Sequence, residues 1–119
     1  MSYVSELEKW KVEIRRGLIE MSILSLLSKR EMYGYELSKS LNEITKGVLS
    51  VEEGTLYPLL RRLENKKYIR GEWKFVNEKA RKYYRITPLG LEILHNMKEI
   101  WQAIIAAVEK ILSGGNNNV

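Results

Sequence analysis

A stripe of leucines followed at once by a change of periodicity constrains the fold of this 119-residue chain more than any other feature. The leucines between Leu56 and Leu63 recur at helical spacing and therefore share one face of a helix. From Tyr68 to Val76 apolar residues instead alternate with polar ones, which indicates a β-strand. The chain must therefore pack one face of a helix while a strand begins only a few residues beyond it.

The start of this helix is predicted from Ser50 and Glu53. A serine followed three residues later by a glutamate is a capping box that satisfies backbone N–H groups of the first turn, so the helix is expected to begin near Val51. Pro58 would then stand inside the helix and crowd Gly54, which has no Cβ to clash with the proline ring. The alternative is that Pro58 is the first helical residue and the segment before it is a turn. The continuous phase of the leucines favours the first interpretation.

The net charge of +5 is distributed unevenly along the chain. The segment from Arg61 to Arg85 contains ten Lys or Arg residues against three Glu residues, so the rest of the chain is slightly acidic. A basic segment that starts on an amphipathic helix indicates binding to a polyanion, and nucleic acid is the simplest such partner.

Several functional classes are excluded by what the sequence lacks. There is no cysteine, which excludes thiol catalysis, disulfide bonds and thiolate metal sites. His95 is the only histidine, and no phosphate-binding glycine loop or serine-nucleophile motif is present, so no metal, cofactor or enzyme activity is predicted. The charged amino terminus does not resemble a signal peptide, and no apolar run approaches the ~20 residues of a membrane span, so a cytoplasmic protein is expected.

Two helical segments are predicted at the amino-terminal end of the chain. Ser5 and Glu8 form another capping box, which opens an amphipathic helix. Gly17 is expected to mark the boundary between that helix and a buried apolar one, because glycine weakens a helix by about 1 kcal/mol relative to alanine. The segment from Lys29 to Met32 is interpreted as a polar connection.

A short helix over residues 34–44 precedes the leucine helix. Its apolar positions predict an inner face formed by Leu37, Leu41 and Ile44. Tyr35 and Lys39 are expected to point outward. The short linker to the next helix gives the pair a helix-turn-helix spacing.

The strand after the leucine helix is predicted to pair with a second strand, Arg81–Ile86, through a turn over Asn77–Ala80. Basic residues cluster at the tip of this hairpin, beside Glu78. A basic hairpin directly after a helix-turn-helix pair is the layout of a winged helix, in which the hairpin forms the wing.

The last helix is predicted to start at Thr87 and Pro88, an N-cap residue followed by proline at the first helical position, and to run to about Ser113. It carries apolar residues at heptad spacing: Leu94, Met97, Trp101, Ile104, Val108 and Ile111. This seam predicts a homodimer in which the first helix, through Trp10 and Ile14, also takes part. The alternative is that the seam folds back onto its own domain.

Several segments of the chain resemble the PadR family of transcriptional regulators. They are Arg16-Gly17-Leu18, Tyr33-Gly34-Tyr35-Glu36-Leu37, Glu53-Gly54-Thr55-Leu56-Tyr57-Pro58 with Arg62-Leu63-Glu64, and Arg81-Lys82-Tyr83-Tyr84-Arg85-Ile86-Thr87 before Gly90. The resemblance extends over residues 16–112 and is specific because these segments occur together. The wing departs from the family pattern, since Glu78-Lys79-Ala80 replaces the usual glycine before the Arg-Lys-Tyr-Tyr run.

The resemblance implies a mainly α fold with a small β-hairpin wing, that is, a winged helix-turn-helix with an N-terminal helix and a long C-terminal dimerisation helix. The expected organisation is an N-terminal helix supporting dimerisation (1–15), a DNA-binding domain (16–87), a dimerisation helix (88–113) and a disordered tail (114–119). The resemblance also implies that the protein is a homodimeric repressor that binds a double-stranded inverted-repeat operator. Such repressors are often released by a small aromatic or cationic ligand.

The candidate DNA contacts lie on three elements. They are Tyr35 and Lys39 on the short helix, Ser50, Gly54, Thr55, Tyr57, Pro58 and Arg61 on the leucine helix, and Lys79, Arg81 and Lys82 on the wing. Arg61 is the candidate for base recognition, and the wing and the short helix are expected to contact phosphates.

Two alternatives stay open at this stage. Trp101 corresponds to a pocket tryptophan of some drug-sensing family members, but the heptad also explains it as a packing residue. In addition, the winged-helix fold does not require DNA binding, so a protein–protein interaction adaptor without specific DNA binding is the alternative function.

Overall fold

The computed structural model describes residues 3–114, which form four helices and a small sheet. In chain order the elements are α1 (Tyr3–Leu27), β1 (Met32–Tyr33), α2 (Gly34–Thr45), α3 (Glu53–Asn65), β2 (Ile69–Val76), β3 (Lys79–Ile86) and α4 (Pro88–Leu112). The strands form an antiparallel sheet of order β1-β3-β2. The predicted fold class, mainly α with a hairpin wing, is confirmed. Apart from Gly114, the predicted disordered tail lies outside the described residues.

The first helix is continuous, contrary to the sequence-based prediction. Ser5 lies inside α1 rather than capping it, and the helix passes through Gly17 without a break. A single glycine costs only about 1 kcal/mol in a helix, and burial of Ile19 and Leu24 in the core offsets that cost. The prediction that Gly17 separates two helices is therefore wrong.

The core lies between the carboxy-terminal half of α1, the inner faces of α2 and α3, one face of the sheet, and the first turns of α4. All four leucines of the stripe on α3 are buried, as predicted. Leu37 and Leu41 of α2 are buried as well. Ile44 is 70% exposed, so its predicted inward position is wrong.

Helix α3 begins at Glu53, two residues after the predicted start near Val51, and the predicted capping box at Ser50 is wrong. The N-cap residue is Glu52, whose side chain makes no capping hydrogen bond, and Ser50 lies before the helix. Pro58 stands inside the helix rather than at its start, as the continuous leucine phase indicated. Both Pro58 and Gly54 are exposed on the side away from the leucines.

The wing has a tighter turn than predicted. β2 and β3 pair from Ile69–Ile86 out to Val76–Lys79, so only Asn77 and Glu78 form the turn. Both have positive φ, 53° and 64° respectively, as a two-residue type I′ hairpin turn requires. The glycine missing from the wing is thus replaced by Glu78 in a left-handed conformation that costs about 1 kcal/mol.

A short strand, β1, was not predicted from the sequence. Met32, assigned to a polar connection, is buried and pairs with Tyr84 of β3. Two residues are too few to show an alternating pattern, so the burial of Met32 is visible only in three dimensions. β1 joins the hairpin directly to the first residue of α2.

The predicted start of α4 is confirmed. The Thr87 side chain accepts a hydrogen bond from the Gly90 backbone N–H at 3.0 Å, and Pro88 is the first helical residue. The Thr87 hydroxyl also lies 2.6 Å from the Lys67 carbonyl oxygen, to which it donates. Gly90 abuts the backbone carbonyl of Tyr68, which leaves no space for a Cβ. α4 is therefore joined tightly to the α3–β2 connection.

Candidate nucleic-acid interface

An exposed strip runs along α3 opposite its buried leucines. Gly54, Pro58 and Arg61 occupy this strip, and all three are exposed. Among residues 3–114 no carboxylate lies within salt-bridge distance of Arg61. The glycine and the proline ring project little from the helix, so the backbone can approach a neighbouring surface closely while the guanidinium extends beyond it.

Tyr57 lies on the side of α3 that faces α2. Its ring packs against Gly34, where an added Cβ would come within 2.7 Å of the Tyr57 hydroxyl oxygen. The side chain is nevertheless 41% exposed. Tyr57 is therefore held in place by α2 and still presents part of its ring to solvent.

The opposite side of α3 borders a groove of about 640 Å³ that separates its first turns from α1. Ser50, Thr55 and Pro58 line this groove on the α3 side, and Arg15 and Arg16 line it on the α1 side. The six candidate contacts at the start of α3 therefore lie on an outer strip, on the side facing α2 and on the side facing α1, and Pro58 borders both the strip and the groove. Trp101 does not line the groove.

The candidate contacts on α2 are exposed as predicted. Tyr35 is 53% exposed and Lys39 is also exposed. The ring of Tyr35 stacks on that of Tyr33 with centroids 6.4 Å apart, and Tyr33 in turn meets the edge of Tyr83 on β3. This aromatic row links the exposed start of α2 to the wing.

The three basic residues predicted on the wing occupy different environments. Lys79, beside the turn, is exposed. The Arg81 guanidinium lies over the Tyr33 ring, 4.4 Å from its centroid. Lys82 Nζ lies 3.2 Å from Glu64 Oε1 of α3. Of the three, Lys79 is the one that is free to move toward a partner.

Glu64 connects α3 to the wing. Besides its salt bridge to Lys82, it accepts a hydrogen bond from the Gly71 backbone N–H at 3.2 Å. Lys82 passes so close to Gly71 that a Cβ there would clash with it. Burial, and secondarily the negative charge of Glu64, raises the pKa of the neighbouring Tyr84 phenol. The orientation of the wing relative to α3 is therefore fixed by packing and by charge.

Two basic residues of the wing were missed by the sequence analysis. Arg70 and Arg85 are exposed and lie directly opposite each other on β2 and β3. Like charges at this spacing repel, which favours an anion between or beside them. Their place within the basic segment, together with strand alternation, could have identified them.

The candidate dimer residues fall into two groups. Leu94 is 3% exposed and belongs to the core of its own domain, while Met97 and Trp101 are half-buried. The remaining members of the seam on α4 are exposed, namely Ile104, Val108 and Ile111. Trp10 and Ile14 of α1 are exposed too, at 59% and 49%. The first residues of the seam therefore pack against the core of their own domain, and the later ones are exposed.

Within residues 3–114 there is no group of three or more His, Cys, Asp or Glu side chains that could hold a metal ion. The described helices include none that combines the length and the apolar character needed to cross a bilayer.

Comparison with known proteins identifies relatives of this chain both in sequence and in structure. Residues 23–96 match the sequence model of the transcriptional regulator PadR-like family. A PadR family transcriptional regulator from Eggerthella lenta has a similar structure, with a TM-score of 0.82 and 38% identity over 92% of this chain and 95% of that one. A PadR-like transcriptional regulator from Bacillus cereus gives a TM-score of 0.75 and 40% identity over 84% and 96% of the two chains.

A relative known from its sequence is the transcriptional regulator Rv3488 of Mycobacterium tuberculosis. It is 35% identical over 78 residues, which cover 66% of this chain and 70% of that protein.

Proposed function

Since this chain belongs to the PadR-like family of transcriptional regulators, we propose that it is a homodimeric repressor that binds a specific double-stranded DNA operator. The start of α3 enters the major groove, and the wing reaches the neighbouring phosphates. The observation that supports this proposal best is the exposed strip of Gly54, Pro58 and Arg61 beside a basic hairpin.

Arg61 is proposed to read bases. An arginine can donate two hydrogen bonds to the major-groove edge of guanine, and no carboxylate of residues 3–114 lies within salt-bridge distance of Arg61 to compete. Thr55 and Tyr57 flank it and are proposed to contact bases or the sugar-phosphate backbone, with Ser50 at the entry to the helix.

Phosphate contacts are proposed for two regions around α3. On α2 they involve Tyr35 and Lys39. On the wing, Lys79 makes the direct contact, whereas Arg81 and Lys82 add positive charge from positions held by Tyr33 and Glu64. Such contacts fix the position of the protein on DNA and carry little sequence information.

The homodimer is proposed to form through the exposed apolar residues of α4 and α1. A row of isoleucine and valine side chains that the chain leaves uncovered is costly in water, at about 25 cal/mol for each Å² of apolar surface. Two copies related by a two-fold axis would bury this row against itself and would present two α3 helices to an inverted-repeat operator.

Release of the operator in response to a small ligand is proposed to involve Trp101. Its half-buried side chain lies where the seam leaves the domain core, so a planar aromatic or cationic ligand stacked on it would lie at the dimer interface. Binding there would favour one arrangement of the two copies over another.

The test is selection of bound duplexes from a random pool, followed by binding titrations with the selected sequence and with a scrambled one. Arg61→Ala should weaken binding to the selected duplex by about 1–3 kcal/mol and change binding to the scrambled duplex much less. Arg62→Ala is the matched control, since Arg62 is paired with Glu20 at 2.7 Å. No enrichment of any duplex by the unmodified protein would support a protein–protein adaptor instead.

A further inference from the structure

Tyr33 lies at the junction between the sheet and α2. It is the last residue of β1, where it pairs with Tyr83 of β3. It is also the N-cap residue of α2, and its backbone N–H donates to Glu36 Oε1 at 3.1 Å. The backbone of Tyr33 is therefore held by the sheet on one side and by the first turn of α2 on the other.

The side chain of Tyr33 lies on the outer face of the sheet. The adjacent residues Met32 and Tyr84 pair with each other and are both buried. Because side chains alternate along a strand, Tyr33 and Tyr83 lie on the opposite face, which Arg81 shares because it is two residues from Tyr83. Tyr33 is half-buried there.

Three side chains from two elements pack against the Tyr33 ring. From α2, the ring of Tyr35 stacks on it with an angle of 22° between the ring planes. From β3, Tyr83 meets it edge-on with the centroids 5.3 Å apart, and the Arg81 guanidinium lies over it. Contacts of both kinds, ring on ring and guanidinium on ring, are attractive. Tyr33 thus joins an exposed aromatic residue of α2 to a basic residue of the wing.

The ring of Tyr33 orders two side chains of the candidate interface. Tyr35 is 53% exposed. In the part of the chain that the structure describes, no carboxylate lies within salt-bridge distance of Arg81, so the Tyr33 ring is the partner that holds its guanidinium. A side chain that is already held in place loses less conformational entropy when it binds.

We propose that Tyr33 is a positioning residue for DNA binding, which holds Tyr35 of α2 and Arg81 of the wing at a fixed separation so that DNA meets both in one arrangement. This inference rests on the proposed function. Tyr33 acts through the two side chains on its ring and needs no contact with DNA itself. Removal of either side chain leaves the other less ordered, so the contributions of Tyr35 and Arg81 to affinity are coupled.

The test is a double-mutant cycle of Tyr35→Ala and Arg81→Ala, with affinity for the selected duplex as the readout. In the unmodified background the double variant should bind about two- to fivefold more tightly than the product of the two single losses predicts, which corresponds to one ring contact. The same cycle is then measured with Tyr33→Leu, which keeps apolar bulk but has no aromatic face. In that background the two losses should multiply.

Tyr33→Phe is the matched control, because a phenyl ring keeps the stacking and the guanidinium contact, and it should retain the coupling. A merely structural role of Tyr33 would change the affinity of every variant by the same factor and leave the coupling intact. Urea denaturation shows whether Tyr33→Leu is folded under the binding conditions, and if it is not, the cycles in the unmodified and Tyr33→Phe backgrounds decide.

Two results would overturn the inference and leave the proposed function standing. One is that the losses from Tyr35→Ala and Arg81→Ala multiply in the unmodified background. The other is that the coupling persists in folded Tyr33→Leu, which would show that it runs through the DNA instead. Failure of the unmodified protein to bind any duplex overturns both proposals.

Discussion

The ring of Tyr57 on α3 packs directly against Gly34, the first residue of α2. Only a residue without a Cβ leaves room for the ring at this position. The two helices of the helix-turn-helix therefore meet through a tyrosine that is also partly exposed on the candidate DNA-binding surface.

Replacing Gly34 with alanine should displace Tyr57 and lower the free energy of unfolding by about 1–3 kcal/mol, the usual cost of overpacking. Gly17→Ala is the control. It lies inside α1 with nothing near the added methyl group, so it should raise the free energy of unfolding by about 0.5–1 kcal/mol. Urea denaturation followed by circular dichroism measures both. Equal effects of the two substitutions would contradict the packing described for Tyr57.

The turn of the wing stores strain at Glu78, whose φ is 64°. Glu78→Gly should relieve this strain and stabilise the protein by up to about 1 kcal/mol. Glu78→Gln removes the charge but keeps the Cβ, so its unfolding midpoint should match that of the unmodified chain. Thermal unfolding of the three proteins separates the two effects. A stabilisation by glutamine as large as that by glycine would mean that charge, not backbone strain, is responsible.

Lys79 and Lys82 should differ in their effect on DNA binding, although both are lysines of one strand. Lys79→Ala should make the slope of log K against log salt shallower by about 1, because one phosphate contact is lost. Lys82→Ala should leave the slope nearly unchanged and instead loosen the wing, since Glu64 loses its salt-bridge partner and keeps only the Gly71 backbone N–H. Fluorescence anisotropy with a labelled duplex between low and moderate salt measures both slopes, and a shallower slope for Lys82→Ala alone would reverse the assignment.

A charge within the seam of α4 should prevent dimerisation. Ile104→Glu places a carboxylate at an exposed position that the proposed interface would bury, at a cost of about 3 kcal/mol or more. Ala106→Glu, on the opposite face of the same helix and also exposed, should leave the dimer intact. Sedimentation velocity distinguishes a folded monomer from a dimer. If the unmodified protein sediments as a monomer, the proposed interface is wrong.

Tyr84 should make stability depend on pH in alkaline solution. Burial, followed by the charges of Glu64 and Tyr57, raises its pKa above the ordinary value of 10.0. Above pH 10 the folded protein keeps a proton that the unfolded chain has lost, so the free energy of unfolding falls as the pH rises further. Tyr84→Phe removes this contribution. The stability difference between the two proteins, measured by urea denaturation from pH 8 to 11, should therefore change only at the alkaline end.

Local signals predicted most of the elements. The spacing of the leucines of α3 and the Thr87-Pro88 start of α4 each depend on residues close in sequence, and both were confirmed. The start of α3 was not predictable in this way, because Glu52 occupies the N-cap position without a capping hydrogen bond. A serine that fits a capping box is only one of several ways to begin a helix.

The parts of the candidate site that depend on distant residues could not be predicted. The pairing of Lys82 with Glu64 joins β3 to α3, and Arg81 reaches Tyr33 on β1. From the sequence all three basic residues of the wing look equivalent, and only their partners in space distinguish Lys79 from the other two. Leu94 was likewise assigned to the dimer seam because heptad spacing does not show where a helix leaves its own core.

The unbroken course of α1 has a mechanical consequence. One helix of 25 residues, about 37 Å long, has its carboxy-terminal half fixed in the core by Ile23 and Leu27, while its amino-terminal half carries the exposed Trp10. Because the helix is unbroken at Gly17, its two halves move together as one rigid element. In the proposed homodimer, a tilt of the Trp10 end would therefore also move the domain that carries α3 and would change the distance between the two α3 helices.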